Sequence, residues 1–111
     1  SEEFNPGIGS DPDFNMKLWV EGVRLFKGIN RFKVYHFGSL TTRKNKNVVQ
    51  NRGDNIFLRK WGISIRFFKK FYLHTNTKFT APLSNPIKNV NFYISLFFCK
   101  IKLLYLNILK R

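Results

Sequence analysis

Apolar residues in the first part of the chain recur at helical spacing after a polar opening rich in turn-forming residues. Residues 1–10 form that opening, and the spacing predicts a helix over residues 12–21. Asp11 is suited to cap the amino end of this helix, Pro12 to occupy its first position and Gly22 to end it. The apolar side chains that share one side of the helix are Phe14, Leu18 and Trp19.

Alternation between apolar and basic residues comes next and is typical of short β-strands. Residues 23–27 and residues 31–37 both alternate in this way, and a turn containing a glycine separates them. The pattern therefore predicts two short strands. The following residues, 38–53, are polar and basic, and we expect a loop there.

Two short helices are predicted after this loop. Asp54 is a candidate cap for a helix that runs to Trp61 and is broken at Gly62, and Ser64 is a candidate cap for a helix over residues 65–73. Both helices combine aromatic and basic side chains, so each is expected to bury its rings and expose its charges.

The end of the chain divides into a linker and a helix. Residues 74–89 are mostly polar and contain two prolines, which is typical of a linker, and residues 90–111 form the predicted helix. Lys100 and Lys102 interrupt the apolar run, so a membrane span is not predicted. We favour packing against the rest of the protein over an interfacial position on a membrane. The apolar face predicted for this helix comprises Ile94, Phe97, Ile101, Leu104 and Ile108.

Composition adds a strong charge bias that is unevenly distributed. The 111 residues carry a net charge of +14, yet no basic residue precedes Lys17. Such a charge favours an anionic partner, although an AT-rich coding sequence also enriches lysine. Cys99 stands alone, which excludes an internal disulfide and fits a cytoplasmic location. No signal peptide is recognisable.

Three side chains are candidates for chemistry. The Asp11 carboxylate would lie at the positive end of a helix dipole, where it could act as a general base or simply cap the helix. Asp13 lies in the first turn of the same helix, where its only role could be a favourable interaction with the helix dipole. His36, at the end of a predicted strand, could bind a divalent metal or a phosphate, or be structural.

A non-catalytic role is the alternative. Basic and aromatic residues interleave at residues 59–61 and 66–70, a pattern that can stack bases and neutralise phosphates. On helices the same rings are more often core residues. A small basic module that binds nucleic acid or an anionic membrane therefore stays open, with nucleic acid the less favoured partner.

Several segments, taken in order, resemble the acceptor-side half of family 2 glycosyltransferases. In that family a flexible glycine-rich stretch leads to an acidic motif at a helix start, followed by a Val-x-His-x-Gly-Ser segment and a helix that ends Lys-Trp-Gly. The matching segments here are Glu2-Glu3-Phe4-Asn5-Pro6-Gly7, Ser10-Asp11-Pro12-Asp13-Phe14, Val34-Tyr35-His36-Phe37-Gly38-Ser39 and Lys60-Trp61-Gly62.

The resemblance implies roles for the candidate residues. Asp11 matches the catalytic base that deprotonates the acceptor hydroxyl, and Asp13 matches a residue concerned with local structure or acceptor binding. His36 matches a histidine that in some members helps to hold the metal or the nucleotide diphosphate. Ser10 departs from the family pattern, in which glutamate is common at this position.

The resemblance also implies a fold and a context. The expected fold class is α/β, as the C-terminal fragment of a Rossmann-like glycosyltransferase domain with short strands after one helix and a basic helical tail. Residues 1–53 would close the catalytic domain, residues 54–73 would extend it, residues 74–89 would link it and residues 90–111 would form the tail helix.

The donor-binding half that this family requires is not recognisable in the chain. It would use Mg²⁺ or Mn²⁺ and a nucleotide-sugar donor, and the fragment by itself would be inactive. The acceptor would be a saccharide or a lipid-linked sugar, and the enzyme could lie peripherally on the inner membrane.

Overall fold

A computed structural model describes residues 2–4, 9–27 and 52–109, and every regular element within these ranges is a helix. A short 3₁₀ helix (Glu2–Phe4) precedes four α-helices, which we number in chain order. Their bounds are Ser10–Val20 for α1, Arg52–Trp61 for α2, Ile65–Phe71 for α3 and Val90–Ile108 for α4.

The predicted α/β fold class is wrong for the described part of the chain, which has four α-helices and no strand. Residues 23–27 are irregular, and one backbone hydrogen bond, from Leu83 N to Arg24 O at 2.8 Å, joins them to the later loop. Arg24 instead lies 4.0 Å from the centre of the Trp19 ring and donates to the Trp19 carbonyl at 2.6 Å. Arg24 thus packs on α1 through a cation–π contact, and no partner strand for residues 23–27 is found among the described residues. The second predicted strand, 31–37, lies outside the described residues.

Helix α1 begins two residues earlier than predicted. Gly9, at φ +95°, occupies the N-cap, so Asp11 is not the cap, and the first helical hydrogen bond joins Asp13 N to Gly9 O at 3.2 Å. Pro12 is tolerated within this first turn because the amides there have no helical acceptor. The predicted stop is confirmed: Gly22, at φ +89°, ends the helix.

The boundary between α2 and α3 follows the prediction more closely. Gly62 has φ +72° and ends α2, and the Ser64 hydroxyl caps α3 by accepting from Phe67 N at 3.1 Å. Asp54, however, lies inside α2 and does not cap it. Its carboxylate accepts from Ile65 N at 3.1 Å and from Lys102 Nζ at 2.8 Å, so it ties three helices together.

Aromatic rings form most of the core between α2, α3 and α4. Phe67, Phe71 and Phe92 make a triangle with ring centres 4.7 to 5.2 Å apart. Phe57 and Phe68 are fully buried beside it. Such pairs add to the free energy of apolar burial, so the short helices are held mainly by their rings.

Helix α4 packs with a face other than the one predicted. Phe92 and Cys99 are buried, and Leu96, Leu103 and Leu106 pack beside them. The predicted face, which includes Phe97 and Leu104, is exposed. The predicted helical period of α4 is correct, but the side predicted to pack against the core is wrong. The pattern could not identify the packed side because α4 is apolar almost all round.

Candidate functional site

Asp13 is the one buried charged side chain among the described residues, with 1% of its surface exposed. One carboxylate oxygen accepts from the Trp61 indole at 2.8 Å and from Lys60 Nζ at 2.9 Å. The other oxygen pairs with Lys17 Nζ at 3.0 Å, one helical turn along α1. A buried carboxylate is tolerated only with partners of this kind.

Lys60 extends this network to the start of the chain. Its ammonium group contacts Glu3 at 2.6 Å as well as Asp13. Burial on its own would lower the pKa of Lys60, but hydrogen bonds to Asp13 and Glu3 outweigh it and the pKa lies above its ordinary value. The hydrogen bond from Lys60 likewise lowers the pKa of Glu3. We call Glu3, Asp13, Lys17, Lys60 and Trp61 the Asp13 cluster.

Gly9 lets the opening segment pack closely against this cluster. A Cβ placed on Gly9 would lie 3.0 Å from the Phe4 ring and 3.2 Å from the carbonyl oxygen of Gly53. Its positive φ is also unfavourable for other residues. Glycine at this position therefore brings the 3₁₀ helix, the start of α1 and the start of α2 together.

The structure places Asp11 and Asp13 on different sides of α1. Two helical positions turn through about 200°, so when Asp13 faces the core Asp11 faces away from it. Asp11 is exposed, as an acceptor-facing base must be, and it lies outside the cleft around residues 73–84 and the cleft between α3 and α4. Its carboxylate lies on an open surface at the first turn of α1.

Asp13, the predicted acceptor-binding residue, is enclosed by its neighbours. Both oxygens of its carboxylate are taken up by neighbouring side chains in the core. The structure thus assigns Asp13 a packing role, and the acceptor contact stays a prediction.

The metal prediction rests on His36, which lies outside the described residues. In the described ranges, no group of three or more histidine, cysteine, aspartate or glutamate side chains could hold a metal ion.

The aromatic residues singled out for nucleic-acid binding are core residues. Phe67 and Phe68 are buried, and Trp61 is half-buried with its indole donating to Asp13. Rings in these positions cannot stack on bases. Among the basic residues beside them, Lys60 is held by Asp13 and Glu3, whereas Arg59, Arg66, Lys69 and Lys70 are exposed. Only these charges, and not the rings, could contact a nucleic acid.

Sequence reasoning missed the links made by Lys60 and Asp54. Each joins segments about 50 positions apart, and neither spacing nor periodicity carries that information. The resemblance identifies the Lys-Trp-Gly segment but does not predict that this segment packs against Asp13.

In comparisons with known proteins, no family model, no curated protein and no solved structure matches this chain. The resemblance to family 2 glycosyltransferases therefore rests on the quoted residues alone.

Proposed function

We propose that this chain is the acceptor-side portion of an inverting glycosyltransferase and that Asp11 is its general base. One observation supports the proposal above the others. Lys60 and Trp61, from the Lys-Trp-Gly segment, bond directly to Asp13 of the acidic motif, and Lys60 also bonds to Glu3 of the opening segment. Three segments that carry the resemblance thus meet at one place.

This convergence gives Asp13 and Asp11 complementary roles. Asp13 is held by cations and an indole, and it fixes the first turn of α1 against α2. Asp11, in the same turn, is thereby held at a defined place on the surface. A general base must be positioned before its pKa matters, so a rigid support beside an exposed carboxylate suits this chemistry.

The proposed reaction is a single displacement. A carboxylate oxygen of Asp11 takes the proton from the acceptor hydroxyl while the hydroxyl oxygen forms a bond to the anomeric carbon of the donor sugar. The bond from that carbon to the diphosphate oxygen breaks, and its electron pair leaves with the nucleoside diphosphate. The proton ends on Asp11 and the anomeric configuration inverts.

The donor would bind to another part of the enzyme. The contribution of this chain is to present the base and to contact the acceptor.

Substitution of Asp11 in an active enzyme that contains this chain tests the proposal. Asp11→Asn keeps the shape and removes the proton acceptor, so transfer should fall by about 10² to 10⁴-fold. Binding of the nucleotide-sugar donor should be unchanged, as measured by calorimetry.

Glu21→Gln is the matched control, since Glu21 is an exposed carboxylate at the other end of α1. Transfer by this variant should equal that of the unmodified enzyme. Full transfer by Asp11→Asn, or an equal loss in both variants, would contradict the assignment of the base.

A further inference from the structure

Helix α4 is apolar on two opposite sides, and the core uses one of them. The packed side contains Phe92 and Cys99. The opposite side is an exposed arc roughly 140° wide at 100° per residue. We call it the outer arc of α4, and its members are Val90, Tyr93, Ile94, Phe97, Phe98, Ile101, Leu104, Tyr105 and Ile108.

The outer arc is a continuous apolar surface and not a set of singly scattered hydrophobic residues. Phe97 is 62% exposed and Leu104 is 63% exposed, and the exposed positions continue over the whole length of the helix. A contiguous apolar surface of this kind marks a binding surface.

Charge borders the arc in a particular way. Lys100 and Lys102 flank it on its two sides, and α4 contains no aspartate or glutamate. Lysines at the edges of an apolar face are typical of helices that lie in a lipid interface, where the chain packs on the apolar layer and the ammonium group meets the headgroups.

A basic groove lies along one edge of the outer arc. This groove, between α3 and α4, has a volume of about 400 Å³ and reaches Phe98 at the edge of the arc. Arg66, Lys70 and Lys102 line it together with a single carboxylate, Asp54. Lys102 pairs with Asp54 at 2.8 Å, so Arg66 and Lys70 carry the net positive charge of the groove. Its balance of charge suits a phosphate headgroup whose acyl chains would continue over Phe98.

The charge of the chain decides between candidate partners. A second copy would bring another net charge of +14 against the same surface, which like-charge repulsion opposes. An anionic surface would be attracted instead. A span across the bilayer does not fit, because no helix in residues 2–4, 9–27 and 52–109 is long and apolar enough to cross one.

We propose that the outer arc of α4 docks on the surface of an anionic membrane, with the Arg66, Lys70 and Lys102 groove receiving lipid phosphates. The helix lies in the plane of the membrane with its packed side still on α2 and α3. This proposal stands on α4 and does not depend on the proposed transfer reaction.

Vesicle binding by the 111-residue chain tests it. Cosedimentation is measured with vesicles of phosphatidylcholine and with vesicles of phosphatidylcholine and phosphatidylglycerol in equal parts. The chain should bind the second kind, and raising the salt from ~50 to ~300 mM should weaken binding because surface charges are screened. Absence of binding to these anionic vesicles would overturn the proposal.

Leu104→Glu and Asn107→Glu separate the apolar surface from the charge. Both change the net charge by the same amount, but Leu104 lies on the outer arc and Asn107 lies outside it. Leu104→Glu should reduce binding at least about tenfold more than Asn107→Glu. Circular dichroism should show native helix in both variants, since both positions are exposed.

Equal losses in these two variants would mean that charge alone binds the vesicle, which overturns docking through the arc. A dimer in sedimentation equilibrium that Leu104→Glu dissociates, without vesicle binding, would overturn it in favour of a second copy.

The groove has its own matched pair. Lys70→Gln should reduce binding to the anionic vesicles about fivefold, the effect of one lysine near such a surface. Lys78→Gln removes an exposed lysine that does not line this groove and should have a smaller effect. Equal effects would overturn the placement of lipid phosphates in the groove.

Discussion

The Asp13 cluster and the outer arc of α4 stand in opposite relations to solvent. In the Asp13 cluster, an acidic residue in the first turn of a helix, a residue type that is mostly exposed, is buried among its partners. In the second, nine large apolar or aromatic residues with the spacing of a core face are exposed. Each region reverses what its residue types favour by themselves.

The difference between them shows what decides burial in a small helical chain. Asp13 is buried because Lys60 and Trp61 arrive from α2 to satisfy it, a tertiary effect. The outer arc is exposed because the opposite side of α4 already supplies Phe92 and Cys99 to the core. Burial therefore depends on whether a hydrogen-bonding or packing partner is available. An apolar surface that lacks a packing partner, such as the outer arc, is a candidate binding surface.

The largest expected effect comes from Phe92, and Phe97 on the same helix is its control. Phe92→Ala should lower the free energy of unfolding by about 3 to 5 kcal/mol, because it opens a cavity between Phe67 and Phe71. Phe97→Ala, on the outer arc, should change it by less than about 0.5 kcal/mol. Urea unfolding followed by circular dichroism measures both, and similar losses would mean that the arc is packed in solution.

Removal of the buried carboxylate should have the next largest effect. Asp13→Ala leaves Lys60, Lys17 and the Trp61 indole without their common acceptor, at a cost of about 2 to 3 kcal/mol. This value lies below that of a fully buried pair because both lysines can be partly rehydrated. Asp11→Ala is the control and should cost less than about 1 kcal/mol. Equal unfolding midpoints for the two variants would show that Asp13 is not buried.

The indole contact should contribute a smaller amount. Trp61→Phe keeps a ring against Phe57 and removes the donor to Asp13, so unfolding should become easier by about 1 to 2 kcal/mol. In the Asp13→Ala background the same substitution should cost much less. Additive losses in this double-mutant cycle would indicate that the two side chains do not interact.

The acid dependence of stability should show the smallest effect. Lys60 lowers the pKa of Glu3 below its ordinary value of 4.5, so the contribution of Glu3 is present above pH 4.5 and is lost as the pH falls through the lowered pKa. Glu3→Gln should reduce the loss of stability at acid pH when unfolding midpoints are compared across that range. If the unfolding midpoint depended on acid pH in the same way in both proteins, Glu3 would not be paired with Lys60.

Sequence predicted local features better than tertiary ones. The Ser64 cap and the stops at Gly22 and Gly62 were predicted correctly, because each depends on a few neighbouring residues. The strand at 23–27 was predicted wrongly, because Arg24 packs on Trp19 and no partner strand lies beside it in the described residues.

The candidate site was predicted only in part. The acidic motif was located from its residues, while its connection to Lys60 and Trp61 depends on a chain reversal that periodicity does not encode. For α4 the period was evident, but a helix that is apolar all round does not reveal which side is covered.

Asp11→Asn and Asp13→Asn, compared in one active enzyme, separate the proposed base from its buried neighbour when transfer rate and unfolding midpoint are recorded for each. We predict that Asp11→Asn keeps its midpoint and loses transfer, whereas Asp13→Asn loses stability and, per folded molecule, far less transfer. Transfer at the unmodified rate by Asp11→Asn would show that Asp11 is not the general base.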